Sequence, residues 1–270
     1  MTGTVTLAGT VTLAGAGTAA DTATRTGTVT LIGGGPGDAG LITVRGLERL
    51  RAADVVIADR LGPRSLLGDL PPQVTVIDVG KQPGHHPVPQ WRINELIVEH
   101  AQAGRAVVRL KGGDPYVFGR GSEEVDACRN AGIDVEVVPG VTSAIAVPAA
   151  VGIPVTSRGI ANGFSVVTGH EGLDQLPGGS NHTVILLMGV GGLAANAATL
   201  VKGGRASECP VAIIEDGYGP DQRVTTGTLG TIAAIAALAE VKNPAVIVVG
   251  DVVTLLPGYS DQPGWSGRPA

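Results

Sequence analysis

Cysteine, aromatic side chains and long apolar runs are all scarce in this chain of 270 residues, and each scarcity closes off a class of protein. The two cysteines, Cys128 and Cys209, stand far apart with no CxxC pairing and no histidine at ligand spacing. That excludes a disulfide framework and a zinc site and fits a reducing cytoplasm. No run of about 18 consecutive apolar residues interrupts the glycine and charge punctuation, so no membrane span is expected. Positive charge is also in short supply: 19 Lys and Arg face 24 Asp and Glu, whereas nucleic-acid binding needs a basic face to neutralise phosphates. Arg25 is the one basic residue of the first 27, which argues against a secretory signal.

What is present is 43 % apolar residues with only 3 % aromatics, a mixture of Ala, Val, Ile and Leu suited to parallel strands buried on both faces. The hexapeptide TVTL(A/I)G occurs at 4–9, 10–15 and 28–33; two adjacent copies are too few to stack as a β-helix, so residues 1–27 are expected to be a disordered or low-complexity leader. From Thr28 onward, strands expected at 28–32, 55–58, 74–79, 107–110 and 135–138 alternate with helices at 41–52, 89–103 and 123–131, with Gly104 and Gly132 as helix stops. Such βα alternation predicts an α/β fold with a mostly parallel sheet. The segment 152–162, with Pro154 and two glycines, reads as a linker. Strands then follow near 165–168, 183–188, 211–215 and 245–249, with helices near 193–201 and 231–239. The expected organisation is an N-terminal α/β domain over 28–152, a second over 153–257 with mixed or mostly parallel strands, a flexible tail over 258–270, and a ligand cleft between the domains.

The loop 33–38, Gly-Gly-Gly-Pro-Gly-Asp, satisfies GxGxxG by letter at Gly35, Gly37 and Gly40, with Asp59 about 20 residues later. A nicotinamide-dependent dehydrogenase is the reading this invites. Pro36 has no N–H for a pyrophosphate, and Asp38 puts a negative charge where that anion would sit. The loop instead suits close approach of backbone to a flat ligand, or a tight turn in which Asp38 caps the next helix. Between Lys81 and Arg120, six cations meet three acids. This local excess fits an anionic ligand, and equally a solvated surface.

From Val107 the chain reads VVRLKGGDPYVFGRGSEE and then VVPGVTSAIAVPAAVGIPVTSRG. With GGGPGD, VIADRL, VGKQPGHHPVPQ, VTGH, ILLMGV, IIEDG and NPAVIVVG, these phrases resemble the uroporphyrinogen-III C-methyltransferase family, including the methylase module of siroheme synthases, over about residues 28–257. The resemblance implies two α/β domains holding S-adenosylmethionine as co-substrate in the cleft between them, no metal, and a homodimer. It implies methylation of uroporphyrinogen III at carbons 2 and 7, giving precorrin-2 by way of precorrin-1, for siroheme or cobalamin. Another precorrin methyltransferase of the same fold is the alternative.

By the same resemblance, Pro36, Gly112, Gly113, Asp114, Val117, Thr142, Ser143, Met188, Gly217 and, more weakly, Ala245 line the donor site. Each also admits a structural reading: turns for the glycines, a helix cap for Thr142 and Ser143, core packing for Met188. A methylated ring must lose a proton, which calls for a base. Asp59 and Lys81 follow expected strands, where α/β proteins gather function, and match the family's proton acceptor and proton donor. A cap and a solvated charge are their alternatives. The substrate's carboxylates require cations; Arg60, Arg109, Lys111, Arg120 and Arg158 are candidates, with His85 and His86 as further donors. Arg109 leads them, with an ion pair to Asp114 as its alternative. Two positions depart from the family's pattern: Ser157 stands where it has histidine, and Ala58 where it commonly has tyrosine.

Overall fold

Runs of Val, Ile and Leu bounded by glycine and charge become strands, and the amphipathic stretches between them become helices. The computed structural model describes residues 27–80, 88–170 and 172–259. Almost all of the expected leader and tail, together with Lys81, His85 and His86, lies outside the described residues. In chain order the elements are β1 (Thr28–Gly33), α1 (Val44–Arg51), β2 (Val55–Ala58), α2 (Ser65–Gly68), β3 (Thr75–Asp78), α3 (Gln90–Gln102), β4 (Ala106–Lys111), α4 (Gly121–Asn130) and β5 (Val135–Val138). These are followed by α5 (Ser143–Ala150), β6 (Gly163–Thr168), β7 (His182–Leu187), α6 (Leu193–Lys202), β8 (Pro210–Glu215), β9 (Arg223–Thr228), α7 (Ile232–Leu238) and β10 (Ala245–Val249).

The first sheet has the order β3-β2-β4-β1-β5 and every pairing in it is parallel. Helices cover both faces. On one, Ile93, Ile97 and Ala101 of α3 pack with Leu31, Ile57 and Val107; on the other, Leu50 of α1 packs with Ile32, Val56 and Leu110. The expected stops after α3 and α4 hold: Gly104 and Gly132 adopt left-handed backbone, at φ +80° and +71°. The single helix expected over 41–52 is a 3₁₀ turn at Ala39–Leu41 and then α1, whose first turn is capped by the Thr43 hydroxyl accepting from Gly46 N–H.

The second sheet is mixed, in the order β6-β7-β10-β8-β9: β6 and β7 are parallel, and the other pairings are antiparallel. Strand β9 has no counterpart among the expected strands. Its sequence, RVTTGT, is polar because it forms an edge. Helix α5 lies before the expected linker, yet its Ala144 and Val147 share a core cluster with Ile185, Ile214 and Val246 of the second sheet. The chain therefore passes to the second sheet's core at the loop after β5. Among the described residues no helix is long and apolar enough to cross a membrane.

In the first sheet the chain leaves β1 toward β2 on one side and leaves β4 toward β5 on the other. The C-terminal ends of β1 and β4 thus form a switch point, the position where open α/β sheets bind ligands.

Candidate active site

Three glycine-bearing loops meet at that switch point. The loop after β1 and the turn after β4 are tied by reciprocal backbone bonds, from Gly113 N–H to the Gly35 carbonyl at 2.6 Å and from Gly35 N–H to the Gly113 carbonyl at 3.2 Å. The loop after β5 closes on both: a Cβ on Gly140 would lie 2.2 Å from the Gly113 carbonyl oxygen and 2.6 Å from Gly33 Cα. No residue with a side chain fits at that crossing. Asp114 fastens the arrangement, one carboxylate oxygen accepting from Tyr116 N–H at 2.8 Å and the other from Gly140 N–H at 3.0 Å. Asp38 caps the 3₁₀ turn through Gly40 N–H at 2.7 Å, as its capping alternative anticipated.

Asp59 sits directly after β2. Its Oδ1 accepts from the N–H of Gly112 and of Leu61, both at 3.2 Å, and its Oδ2 lies 3.5 Å from Nη2 of Arg109. The side chain is 28 % exposed. The acid is therefore fixed against the same turn that joins the glycine loop, with one oxygen not bound to backbone. Gly80, which precedes Lys81, abuts this segment: a Cβ there would stand 2.8 Å from Arg60 N.

The second sheet contributes through α5. Thr142 caps that helix, its hydroxyl accepting from Ala144 N–H at 3.4 Å, and Thr142 and Ser143 lie beside Gly113, where an added Cβ would find nothing nearer than 3.7 Å. At the middle of α5, Gly217 packs on Val147 so closely that a Cβ would come within 2.5 Å of it. The register pairs Ala245 with Glu215 and Val246 with Leu187, which gathers Ala245, the Asp216–Gly217 turn and Met188 at one end of the sheet. Met188 is 51 % exposed with φ +55°, so its alternative as core packing is overturned. Phe118, Asp216 and Tyr218 also hold positive φ; such conformations in non-glycine residues persist where surrounding structure imposes them, and they cluster at ligand sites.

The structure thus brings the 112–114 turn to Thr142 and Ser143 at the start of α5 and sets Gly217 against Val147 within that helix, with Met188 and Ala245 at the same end of the second sheet as Gly217. The residues present fit a donor of this kind: backbone bared by glycine at Gly35 and Gly113, van der Waals room between Gly113 and the start of α5, and an exposed thioether at Met188.

The candidate cations fare differently. Arg60 and Arg158 are exposed and make no ion pair among the described residues; Arg120 is exposed and paired with Glu123 at 2.7 Å. Arg109 is only 3 % exposed; it is hydrogen-bonded to Glu124 at 3.0 Å and stands 3.5 Å from Asp59, a loose ion pair, and it makes none with Asp114. It does not reach a ligand from the surface, which corrects its assignment to the substrate. Lys111 is equally buried and pairs with Glu124 at 3.0 Å; burial, and then Arg109 beside it, pushes its ammonium below the ordinary lysine range, while Glu124 opposes the shift. Glu124 itself has no exposed surface and was not among the residues singled out from sequence. Of the two departures, Ala58 is buried in the core under α1 and Ser157 bridges to Ala161.

Comparison with known proteins bears on this geometry. A family model described as tetrapyrrole (corrin/porphyrin) methylases matches residues 28–233. An S-adenosyl-L-methionine-dependent uroporphyrinogen III methyltransferase of Methanosarcina barkeri is 48 % identical over 83 % of this chain and 91 % of its own length. A siroheme synthase of Tolumonas auensis is 43 % identical over 88 % of this chain, which spans only 51 % of that protein. Among solved structures, a uroporphyrin-III C-methyl transferase from Thermus thermophilus complexed with S-adenyl homocysteine superposes with a TM-score of 0.72, at 38 % identity, over 84 % of this chain and 93 % of that one. The family model covers most of the chain and the fold is shared with a solved member: the chain belongs to the tetrapyrrole methylase family.

Proposed function

We propose that this protein is an S-adenosylmethionine-dependent uroporphyrinogen-III C-methyltransferase that methylates carbons 2 and 7, giving precorrin-2 by way of precorrin-1. The observation that carries this reading is the position of Asp59: a partly exposed carboxylate anchored to the Gly112 N–H of the turn that borders the donor site. The Methanosarcina and Thermus relatives, by their names, act on the same substrate.

Pro36, the 112–114 turn, Val117, Thr142, Ser143, Met188, Gly217 and Ala245 hold the donor, which supplies an activated methyl group when bound. Holding reactants in register contributes about 7–11 kcal/mol to reactions of this type. The methylated ring then sheds a proton, and Oδ2 of Asp59 receives it, because Oδ1 is committed to two backbone N–H groups. Lys81, in the segment that follows Gly80, serves as proton donor. Arg60, Arg120 and Arg158 meet the substrate's carboxylates, each such charge-assisted bond contributing about 1.5–3 kcal/mol. The enzyme works as a cytoplasmic homodimer of two-domain subunits, and its product feeds siroheme or cobalamin.

The test is incubation of purified protein with enzymatically made uroporphyrinogen III and methyl-labelled donor, followed by mass measurement of the product. Two added methyls at carbons 2 and 7 are expected. A product with one methyl, or methylation only of a later precorrin, sends the assignment to another member of the family.

A further inference from the structure

Beneath the 112–114 turn lies a buried charge cluster on β4 and α4. Glu124 of α4 is fully buried, and its carboxylate takes Nε–H of Arg109 at 3.0 Å, the Lys111 ammonium at 3.0 Å and an amide N–H of Gln90 at 3.1 Å. Nη1 of Arg109 is spent on the backbone carbonyls of Ile57 and Leu110, at 3.2 and 3.0 Å. Only Nη2 is left, and it faces Oδ2 of Asp59 at 3.5 Å.

That spacing is informative. A charge-assisted N–H to carboxylate bond closes to about 2.7–2.9 Å when nothing restrains it; Arg109 comes close to that range with Glu124, at 3.0 Å, and stays well outside it with Asp59, at 3.5 Å. Pulled by Glu124 on one side and pinned by two carbonyls on another, the guanidinium stops short of Asp59. With the charge of Glu124 removed, the planar fork has one carboxylate left to pair with, and a carboxylate clamped by guanidinium is a poor proton acceptor.

We propose that Glu124 is a positioning residue for the reaction: by holding Arg109 and Lys111 beneath β4, it keeps Arg109 short of Asp59 and leaves Oδ2 open to receive a proton. The inference rests on the reading of Asp59 as proton acceptor. Glu124 is fully buried and none of the candidate donor-site side chains is among its partners, so it acts on the rate of the chemical step and not on binding.

A double-mutant cycle tests it, with two readouts for each protein: steady-state turnover, and S-adenosylhomocysteine affinity by calorimetric titration. Glu124→Gln is expected to lower kcat by ~10-fold or more while leaving KM and the titrated affinity unchanged, since general acid–base groups contribute ~100-fold and upward. On an Asp59→Asn background the same change is expected to cost less than ~2-fold, because effects acting through one group do not add. Wild-type kcat in Glu124→Gln, or a double variant slower than Asp59→Asn by the full single effect, overturns the inference and leaves Asp59 in place. Near-normal turnover in Asp59→Asn removes both. If Glu124→Gln does not fold, Glu124→Asp keeps the charge but withdraws it by one methylene: kcat lowered by ~3-fold or more at unchanged donor affinity supports the inference, and unchanged kcat overturns it.

Discussion

Asp59 accepts the backbone N–H of Gly112 at 3.2 Å, so the proposed base is bonded to the turn that borders the donor site. Substitution by asparagine retains an oxygen for that N–H and for Leu61 N–H, and removes the capacity to take a proton. Asp59→Asn is therefore expected to keep S-adenosylhomocysteine affinity while turnover falls at least ~100-fold. Single-turnover methyl transfer with matched calorimetric binding checks this, and retained turnover takes Asp59 out of the chemistry.

The crossing of Gly33, Gly113 and Gly140 makes a second prediction. A methyl on Gly140 meets backbone at 2.2 to 2.6 Å, where no side chain can yield. Gly140→Ala is expected to destabilise the fold by about 1–3 kcal/mol, the range for overpacking, and to weaken donor binding by displacing the 112–114 turn. Gly132→Ala is the control: open space surrounds that position and only its left-handed φ of +71° resists, so its cost is smaller and donor affinity is untouched. Thermal melts and titrations of the two variants separate local collision from general strain.

The first sheet was legible because its strands are β-branched runs and two of its helices, α3 and α4, end on glycines that go left-handed, Gly104 and Gly132. Strand β9 was not, since an edge strand read alone as RVTTGT has no apolar face to show. The misreading of Arg109 has a physical source. Arg109 and Lys111 stand two apart on β4, hence on one face of a strand that turned out to be the centre of a parallel sheet. Cations buried there must be paired, and Glu124 is the acid that meets both; which strand becomes the centre of the sheet is not written in its local sequence. The candidate donor-site residues on the second sheet were legible only through the phrases ILLMGV, IIEDG and NPAVIVVG, since no periodicity or spacing shows that they come together. Met188, Gly217 and Ala245 lie far apart in sequence, and only antiparallel pairing of β10 with β7 and β8 gathers them.

The contact between Gly217 and Val147 predicts a suppressor. A Cβ on Gly217 falls 2.5 to 3.0 Å from three carbons of the Val147 side chain, not from backbone. Gly217→Ala is expected to push the 216–218 turn away from α5 and weaken donor affinity by ~10-fold, about 1.4 kcal/mol. Val147→Ala removes the colliding methyls at a stability cost of about 1–2 kcal/mol, and the double variant is expected to bind the donor more tightly than Gly217→Ala alone. If Val147→Ala gives no recovery, α5 does not set the position of this turn.

The same turn is held from below by Glu215, whose carboxylate takes both Nε and Nη2 of Arg223 at 2.8 and 2.9 Å and Lys242 N–H at 2.8 Å. Burial raises the affinity of this carboxyl for a proton, but the Arg223 fork, the Lys242 N–H and the attendant positive charge together outweigh it, so its pKa lies below the ordinary value of 4.5. The sign of the consequence follows. With a depressed value in the folded state, the unfolded chain binds the proton first as pH falls. The stabilisation is complete above about pH 4.5 and drains away as pH drops through the folded value. Glu215→Gln is expected to lose about 1.5–3 kcal/mol at neutral pH, the contribution of hydrogen bonds to a charged group, and to show a shallower loss of stability in acid than the parent. Urea denaturation of both proteins across the acid range measures the two slopes. Equal slopes would mean that the Arg223 pair holds the turn without drawing on the charge of Glu215.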